Sequence, residues 1–134
     1  MAIRVVVADD AKVMRETIAR LIRTEPTIDV VGEAANFGET LEVTAALRPD
    51  IVVMDLYMPD AYAHPPGFIK STLSENTGCT LAISIWTDDT AKALAENLGA
   101  KILFDKAKLG AELIPAIFRF CYPDRYPQHE LNAY

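Results

Sequence analysis

Apolar residues fall along this chain in short blocks that switch between two periods. Ile3-Arg4-Val5-Val6-Val7-Ala8 is a β-branched, nearly continuous apolar run, as expected of a strand covered on both faces. Lys12 through Arg23 places Val13, Ile18, Leu21 and Ile22 near helical spacing with charges between them, and Pro26 closes that helix. The alternation continues with a strand over Ile28 to Ala34, a helix over Glu39 to Leu47 ended by Pro49, and a strand over Ile51-Val52-Val53-Met54. After a loop rich in Pro and Ala (Met58 to Gly67), a short helix is expected around Phe68 to Leu73. Leu81 to Ile85 reads as the fourth strand. Asp88 to Leu98 reads as the fourth helix, with Asp88 or Asp89 as its cap and Gly99 as its stop. Lys101 to Phe104 is the fifth strand, and the last helix runs from about Glu112 to Cys121. Pro115 requires that helix either to start late or to bend, because proline removes a backbone hydrogen bond.

Five strands alternating with five helices predict an α/β layered fold: a doubly wound parallel sheet with helices on both faces. The length, 134 residues, is that of one domain. The folded part is expected over 1–122 and a short polar tail over 123–134. The sequence shows no internal repeat and no low-complexity segment.

Composition narrows the function classes. Half the residues are hydrophobic (51%) and a quarter charged (24%), which excludes a disordered or collagenous chain. No apolar run approaches the roughly 18 residues of a membrane helix, and the first residues lack the layout of a signal peptide, so a cytoplasmic setting is expected. Acids outnumber bases, 19 to 13, for a net charge of −6. That sign predicts no direct nucleic-acid partner and no membrane partner. Cys79 and Cys121 read as reduced core thiols without zinc-type spacing, and His64 and His129 stand alone in loop-like segments.

In open parallel sheets ligands bind beyond the carboxyl ends of the strands. The polar residues that follow the apolar runs are Asp9-Asp10, Asp55, Ser84 and Asp105-Lys106. If the first and third strands are neighbours, three carboxylates converge. Such a group repels itself and calls for a cation, and a hard divalent ion such as Mg2+ suits oxygen donors while leaving room for phosphate. A lysine can then neutralise a phosphoryl group and a hydroxyl can donate to it, which is a kit for phosphoryl transfer. Taken singly, each residue has a plainer reading: Asp10 as a helix cap, Lys106 as a surface lysine, Ser84 as a strand serine bonded to backbone.

Together, Val7-Ala8-Asp9-Asp10, Val53-Met54-Asp55-Leu56-Tyr57-Met58-Pro59, Ser84 and Asp105-Lys106 resemble the receiver domain of bacterial response regulators, of the chemotaxis-receiver kind. The resemblance runs from Ile3 to about Cys121. Val30 to Asn36 is also similar to receivers of that family's DNA-binding branch. The resemblance implies a (βα)5 fold with the flavodoxin-like strand order 2-1-3-4-5. It implies that Asp55 is the phosphoacceptor of a two-component system, taking a phosphoryl group from a sensor histidine kinase or phosphotransfer protein. It further implies that Asp9, Asp10, Asp55 and the backbone carbonyl of Tyr57 hold Mg2+, and that Ser84 and Lys106 contact the phosphoryl group. Phosphorylation would bias a surface of helix four, strand five and helix five toward an unknown downstream protein or a homodimer. The domain would be a phosphoacceptor that assists its own phosphotransfer and slow dephosphorylation, not an enzyme in the ordinary sense.

Several positions depart from the family pattern. Ile85 stands where a small residue is usual, Leu103 where the switch aromatic is usual (with Phe104 next to it), and Ala107 where proline is frequent. The glycine after the phosphoacceptor is displaced to Gly67, so Asp60 to Pro66 contains an insertion of roughly four residues beside the site, either a tolerated surface loop or a partner-recognition or lid element. Ile85 and Leu103 keep open a phosphorylation-independent interaction module. A Mg2+-dependent aspartyl-phosphate hydrolase is disfavoured because Leu56 and Tyr57 follow Asp55, leaving no general acid two residues on. A flavin or nucleotide binder is disfavoured by the missing phosphate loop after the first strand.

Overall fold

The computed structural model describes residues 2–125. Strands β1 (Ile3–Ala8), β2 (Ile28–Ala34), β3 (Ile51–Asp55), β4 (Cys79–Ser84) and β5 (Ile102–Asp105) form one parallel sheet in the order β2-β1-β3-β4-β5. Helices α1 (Lys12–Ile22), α2 (Phe37–Leu47), α3 (Pro66–Asn76), α4 (Asp89–Asn97) and α5 (Leu109–Cys121) fill the crossovers. This is the doubly wound α/β order that the alternating pattern and the resemblance predict.

The apolar runs are nearly continuous because each strand feeds two cores. Val5, Val7, Ile51, Val53, Leu81 and Ile83 pack with Ile18, Ile22, Leu113 and Ile117 from α1 and α5. Their neighbours Val6, Ala8, Val52, Met54 and Ala82 face the other way, toward Phe37, Ile69, Leu73, Ala91 and Ala95 from α2, α3 and α4. Side chains alternate along a strand, so consecutive apolar residues are what two-sided burial requires. Phe104 belongs to the first core and the half-buried Leu103 packs on the second.

Element ends differ from expectation where caps were hidden in apparent loop. α2 begins at Phe37, two residues early, because Asn36 caps it: its Oδ1 accepts from the Glu39 N–H at 2.8 Å. α3 extends over Pro66–Asn76, with Pro66 at the first helical position, where a missing N–H costs nothing. β4 starts at Cys79 and stops at Ser84, which leaves Ile85 outside the sheet and exposed. β5 is shifted one residue onward, to Asp105. α5 does not start late; it follows a 3-10 turn over Lys106–Lys108 and carries the exposed Pro115 inside it. α4 keeps its expected signals, with Asp88 accepting from the Ala91 N–H at 2.9 Å and Gly99 stopping the chain at φ +85°. Val13, read as part of the apolar face of α1, is instead 77% exposed.

Cys79 and Cys121 are free but half-buried rather than core, and both line one cleft of about 350 Å3 with Ile3, Asp50 and Phe120. Burial pushes the Cys79 thiol up to about 12 and the Cys121 thiol to about 11, so both stay protonated and unreactive near neutrality. At the start of β4, a Cβ on Gly78 would lie 2.6 Å from the backbone oxygen of Asp50. Gly78→Ala is therefore expected to lose about 2 kcal/mol by overpacking against backbone. A lowered urea midpoint would show it, and an unchanged one would show that the Asp50 segment gives way freely. The tail expected over 123–134, His129 included, lies outside the described residues from 126 onward.

Candidate functional site

β1 and β3 are adjacent, with Ala8 opposite Met54, so Asp9 and Asp55 meet at the carboxyl edge of the sheet. Carboxylate oxygens of Asp9, Asp10 and Asp55 lie within 4.8 Å of one another. Asp9 is fully buried, Asp55 is 5% exposed, and Asp10 is open to solvent. Lys106, just past β5, reaches across with Nζ 2.8 Å from Asp9 Oδ2 and 3.3 Å from Asp55 Oδ2. It is not the surface lysine that its position alone suggested. Asp9 Oδ1 accepts from the Ala11 N–H at 2.9 Å, and Asp55 Oδ1 accepts from the Tyr57 N–H at 3.2 Å.

Three carboxylates face one ammonium. Burial pushes Asp55 up to about 6; the Lys106 charge pulls against this and the Asp9 charge adds to it. Burial alone would lower the Lys106 pKa, but the close contact with Asp9 and the charges of Asp55 and Asp9 hold it above the ordinary value. The site is thus short of positive charge.

The donor set suits a hard divalent cation. Asp9 Oδ2 is buried and meets only the Lys106 ammonium, off the hydrogen-bonding direction, so it retains acceptor capacity. Asp10 is not spent as a cap, because the N-cap of α1 is Ala11 without a side-chain bond. Carboxylate oxygens with open solvent on one side are what magnesium takes while keeping several waters.

Ser84, buried at the end of β4, accepts from the Trp86 N–H at 2.9 Å, which leaves its own O–H free to donate toward the site. The backbone-bonded reading of Ser84 and the site reading are therefore compatible. Trp86 meets Tyr57 edge to face, with centroids 5.4 Å apart and rings at 86°. The pair joins the loop after β3 to the loop after β4.

The inserted segment is tied down in a way the sequence reading missed. Asp60 accepts from the N–H groups of Phe37 and Gly38 at the start of α2, each at 2.9 Å. His64, expected to stand alone, lies with Nε2 3.2 Å from Asp60 Oδ2. Burial acts to raise the Asp60 pKa, but the Gly38 and Phe37 amides and His64 outweigh it and hold the carboxyl below its ordinary value. The local signal was the i,i+4 spacing of Asp60 and His64; the partner helix, 22 residues away, had none. Gly67, the displaced glycine, has open space around its Cβ position, so no packing demands glycine there.

The sequence matches the response regulator receiver domain family over residues 5–116. A protein-glutamate methylesterase/protein-glutamine glutaminase from Anaeromyxobacter dehalogenans is 36% identical over 111 residues, which cover 83% of this chain and 32% of that protein. The chain spans about a third of the length of such curated relatives. Among solved structures, the response regulator domain of Thermotoga maritima CheB superposes with a TM-score of 0.75 at 24% identity, covering 89% of this chain and 96% of that one. A chain from the complex of the CheA3 P1 domain with CheY6 of R. sphaeroides gives 0.73 at 28% identity, covering 90% and 98%. Sheet order, the acidic edge and the family match all agree, and the chain belongs to the response regulator receiver domains of two-component systems.

Proposed function

We propose that this domain takes a phosphoryl group onto Asp55 from a sensor histidine kinase or phosphotransfer protein and uses the resulting charge to switch a protein-binding surface. The observation that carries this reading is the convergence of Asp9, Asp10, Asp55 and Lys106 at one edge of the sheet, with Ser84 at the end of the neighbouring strand β4. Asp9, Asp10, Asp55 and the Tyr57 carbonyl are the groups that would hold Mg2+. When bound, the ion supplies positive charge for the transferring phosphoryl oxygens and relieves the carboxylate repulsion.

An Asp55 carboxylate oxygen attacks phosphorus while the bond from phosphorus to the donor histidine nitrogen breaks, giving an acyl phosphate on Asp55 and a free imidazole. Lys106, already 3.3 Å from Asp55 Oδ2, turns to the new phosphoryl oxygens, and the Ser84 O–H donates to one of them. The phosphoryl group carries about −1.5 to −2 charge in place of the single carboxylate charge, a net gain of about one negative charge or less where β3, β4 and β5 end. A shift of Ser84 and the loop after it would bias α4, β5 and α5, where an unknown downstream protein or a second copy would dock. The domain acts as an acceptor that assists its own phosphotransfer, in a cytoplasmic setting.

The exposed large apolar side chains of the described residues support a docking role at this edge. Tyr57 follows the end of β3, Ile85 and Trp86 follow the end of β4, and all three are exposed. Apolar side chains exposed beside the phosphoacceptor strand would suit a docking protein.

Intact mass after incubation with acetyl phosphate and Mg2+ tests the reading. One phosphoryl group is expected on the parent, none on Asp55→Ala, and none in the presence of chelator. No gain on the parent, with magnesium binding retained, would favour the phosphorylation-independent module.

A further inference from the structure

The loop after β3 is pinned at both ends, and the phosphoacceptor reading uses only the near pin. On the site side, the Leu56 N–H donates to Ile83 O at 3.2 Å and the Tyr57 N–H donates to Asp55 Oδ1 at 3.2 Å. Beyond Tyr57, Met58 is buried and its carbonyl accepts from the Ala61 N–H at 3.2 Å. That bond closes a four-residue turn with Pro59 and Asp60 at its corners. Asp60, at φ −93° and ψ 18°, has the third-position geometry of a type I turn, and proline pre-sets the second.

The Asp60 side chain then leaves the turn altogether. Its Oδ1 takes the Phe37 N–H and its Oδ2 the Gly38 N–H, the first two unpartnered amides of α2, while His64 braces Oδ2. α2 already has its own capping box, since Asn36 accepts from the Glu39 N–H and Glu39 Oε1 accepts from the Ala35 N–H at 3.0 Å. Gly38 fits this bracing closely: a Cβ there would lie 3.4 Å from both Asp60 Oδ2 and His64 Nε2. The extra carboxylate therefore fastens the loop to the helix more than it completes the helix.

We propose that Asp60 is a positioning residue for the metal subsite: by tying the Met58–Ala61 turn to the N-terminus of α2, it fixes where the Tyr57 carbonyl stands beside Asp55. The inference rests on the magnesium reading given above. Only Met58 and Pro59 separate Tyr57 from Asp60, and the turn that Asp60 holds begins at Met58, whose nitrogen is bonded to the Tyr57 carbonyl carbon.

The test is a Mg2+ titration of the parent, Asp60→Ala and Asn36→Ala, read by fluorescence of the sole tryptophan, Trp86, and by the Mg2+-dependent rise of the thermal midpoint. Asn36→Ala removes the other cap of the same helix and controls for loss of helix stability. Asp60→Ala is expected to weaken magnesium binding about tenfold, as loss of an outer-shell partner does. Asn36→Ala should lower the midpoint yet keep the parent's affinity. Asp60→Asn, which keeps one acceptor oxygen, should fall between and carries the test if the alanine variant does not fold. Parent-like binding by Asp60→Ala, or equal weakening by Asn36→Ala, would overturn the proposal. A flat titration of the parent by both readouts would instead remove the magnesium reading itself, and this inference with it.

Discussion

Lys106→Met is expected to unfold at a much lower urea concentration than the parent near neutral pH, and to recover most of that loss on acidification. The side chain of Lys106 is 12% exposed and touches two carboxylates that are nearly inaccessible to water. Methionine keeps the bulk and removes the charge, which leaves Asp9 and Asp55 facing each other uncompensated. Breaking a buried pair from one side typically costs about 3 kcal/mol or more, because the remaining charge has no partner.

The pH arm has a definite sign. The folded pKa of Asp55 is about 6 against an ordinary 3.8, so the native state holds the proton more tightly than the unfolded chain. Its contribution to stability is fully present below the unfolded value and is lost as pH rises through about 6. In the parent this amounts to roughly 2 to 3 kcal/mol across that window. Lys106 is one of the influences lowering the Asp55 pKa, so its removal moves the window upward and deepens the neutral-pH loss. A pH-independent loss, or none, would show that the ammonium does not compensate these acids. The same repulsion is what a bound cation or a protonated Asp55 relieves, so the native site is held in a state that ligand binding improves.

The fold was legible because two-sided strands leave a plain signature: runs such as Ile51 to Met54 with polar residues directly after them. Once β1 and β3 were neighbours, Asp9, Asp10 and Asp55 had to converge. Helix starts were less legible. α2 and α3 begin inside stretches that read as loop, because Asn36 and Pro66 act through capping and a preset φ rather than through apolar spacing. Val13 shows a different limit. Helical period marks a face of α1 but not which of its turns the sheet covers, and Val13 in the first turn is left exposed. The tie of Asp60 to α2 was illegible for a third reason: two amide donors carry no side-chain identity, so nothing at Phe37 or Gly38 advertises the carboxylate they hold.

Trp86→Ala and Tyr57→Ala are each expected to shorten the lifetime of the phosphorylated protein by roughly tenfold, equivalent to about 1.4 kcal/mol of barrier. Hydrolysis of an acyl phosphate on Asp55 needs a water that approaches phosphorus from the side opposite the aspartyl oxygen. Tyr57 lies in the loop that follows Asp55 and Trp86 in the loop after the neighbouring strand β4, and the two rings meet edge to face at 5.4 Å. Tyr57 is 40% and Trp86 55% exposed, so neither ring is core packing and both have surface available to cover the site. Aromatic surface there excludes water without offering a proton acceptor to activate it. The Trp86 N–H bond to Ser84 Oγ ties the ring to the residue proposed to contact the phosphoryl group, so the ring would be held close when that contact forms. Removing either partner breaks the pair, so the double variant should dephosphorylate little faster than the quicker single one. Decay of the phosphorylated mass after removal of acetyl phosphate measures this directly. Parent-like lifetimes in both single variants would mean that the rings pack at the rim and shield nothing, while strict additivity in the double variant would mean that each ring shields alone.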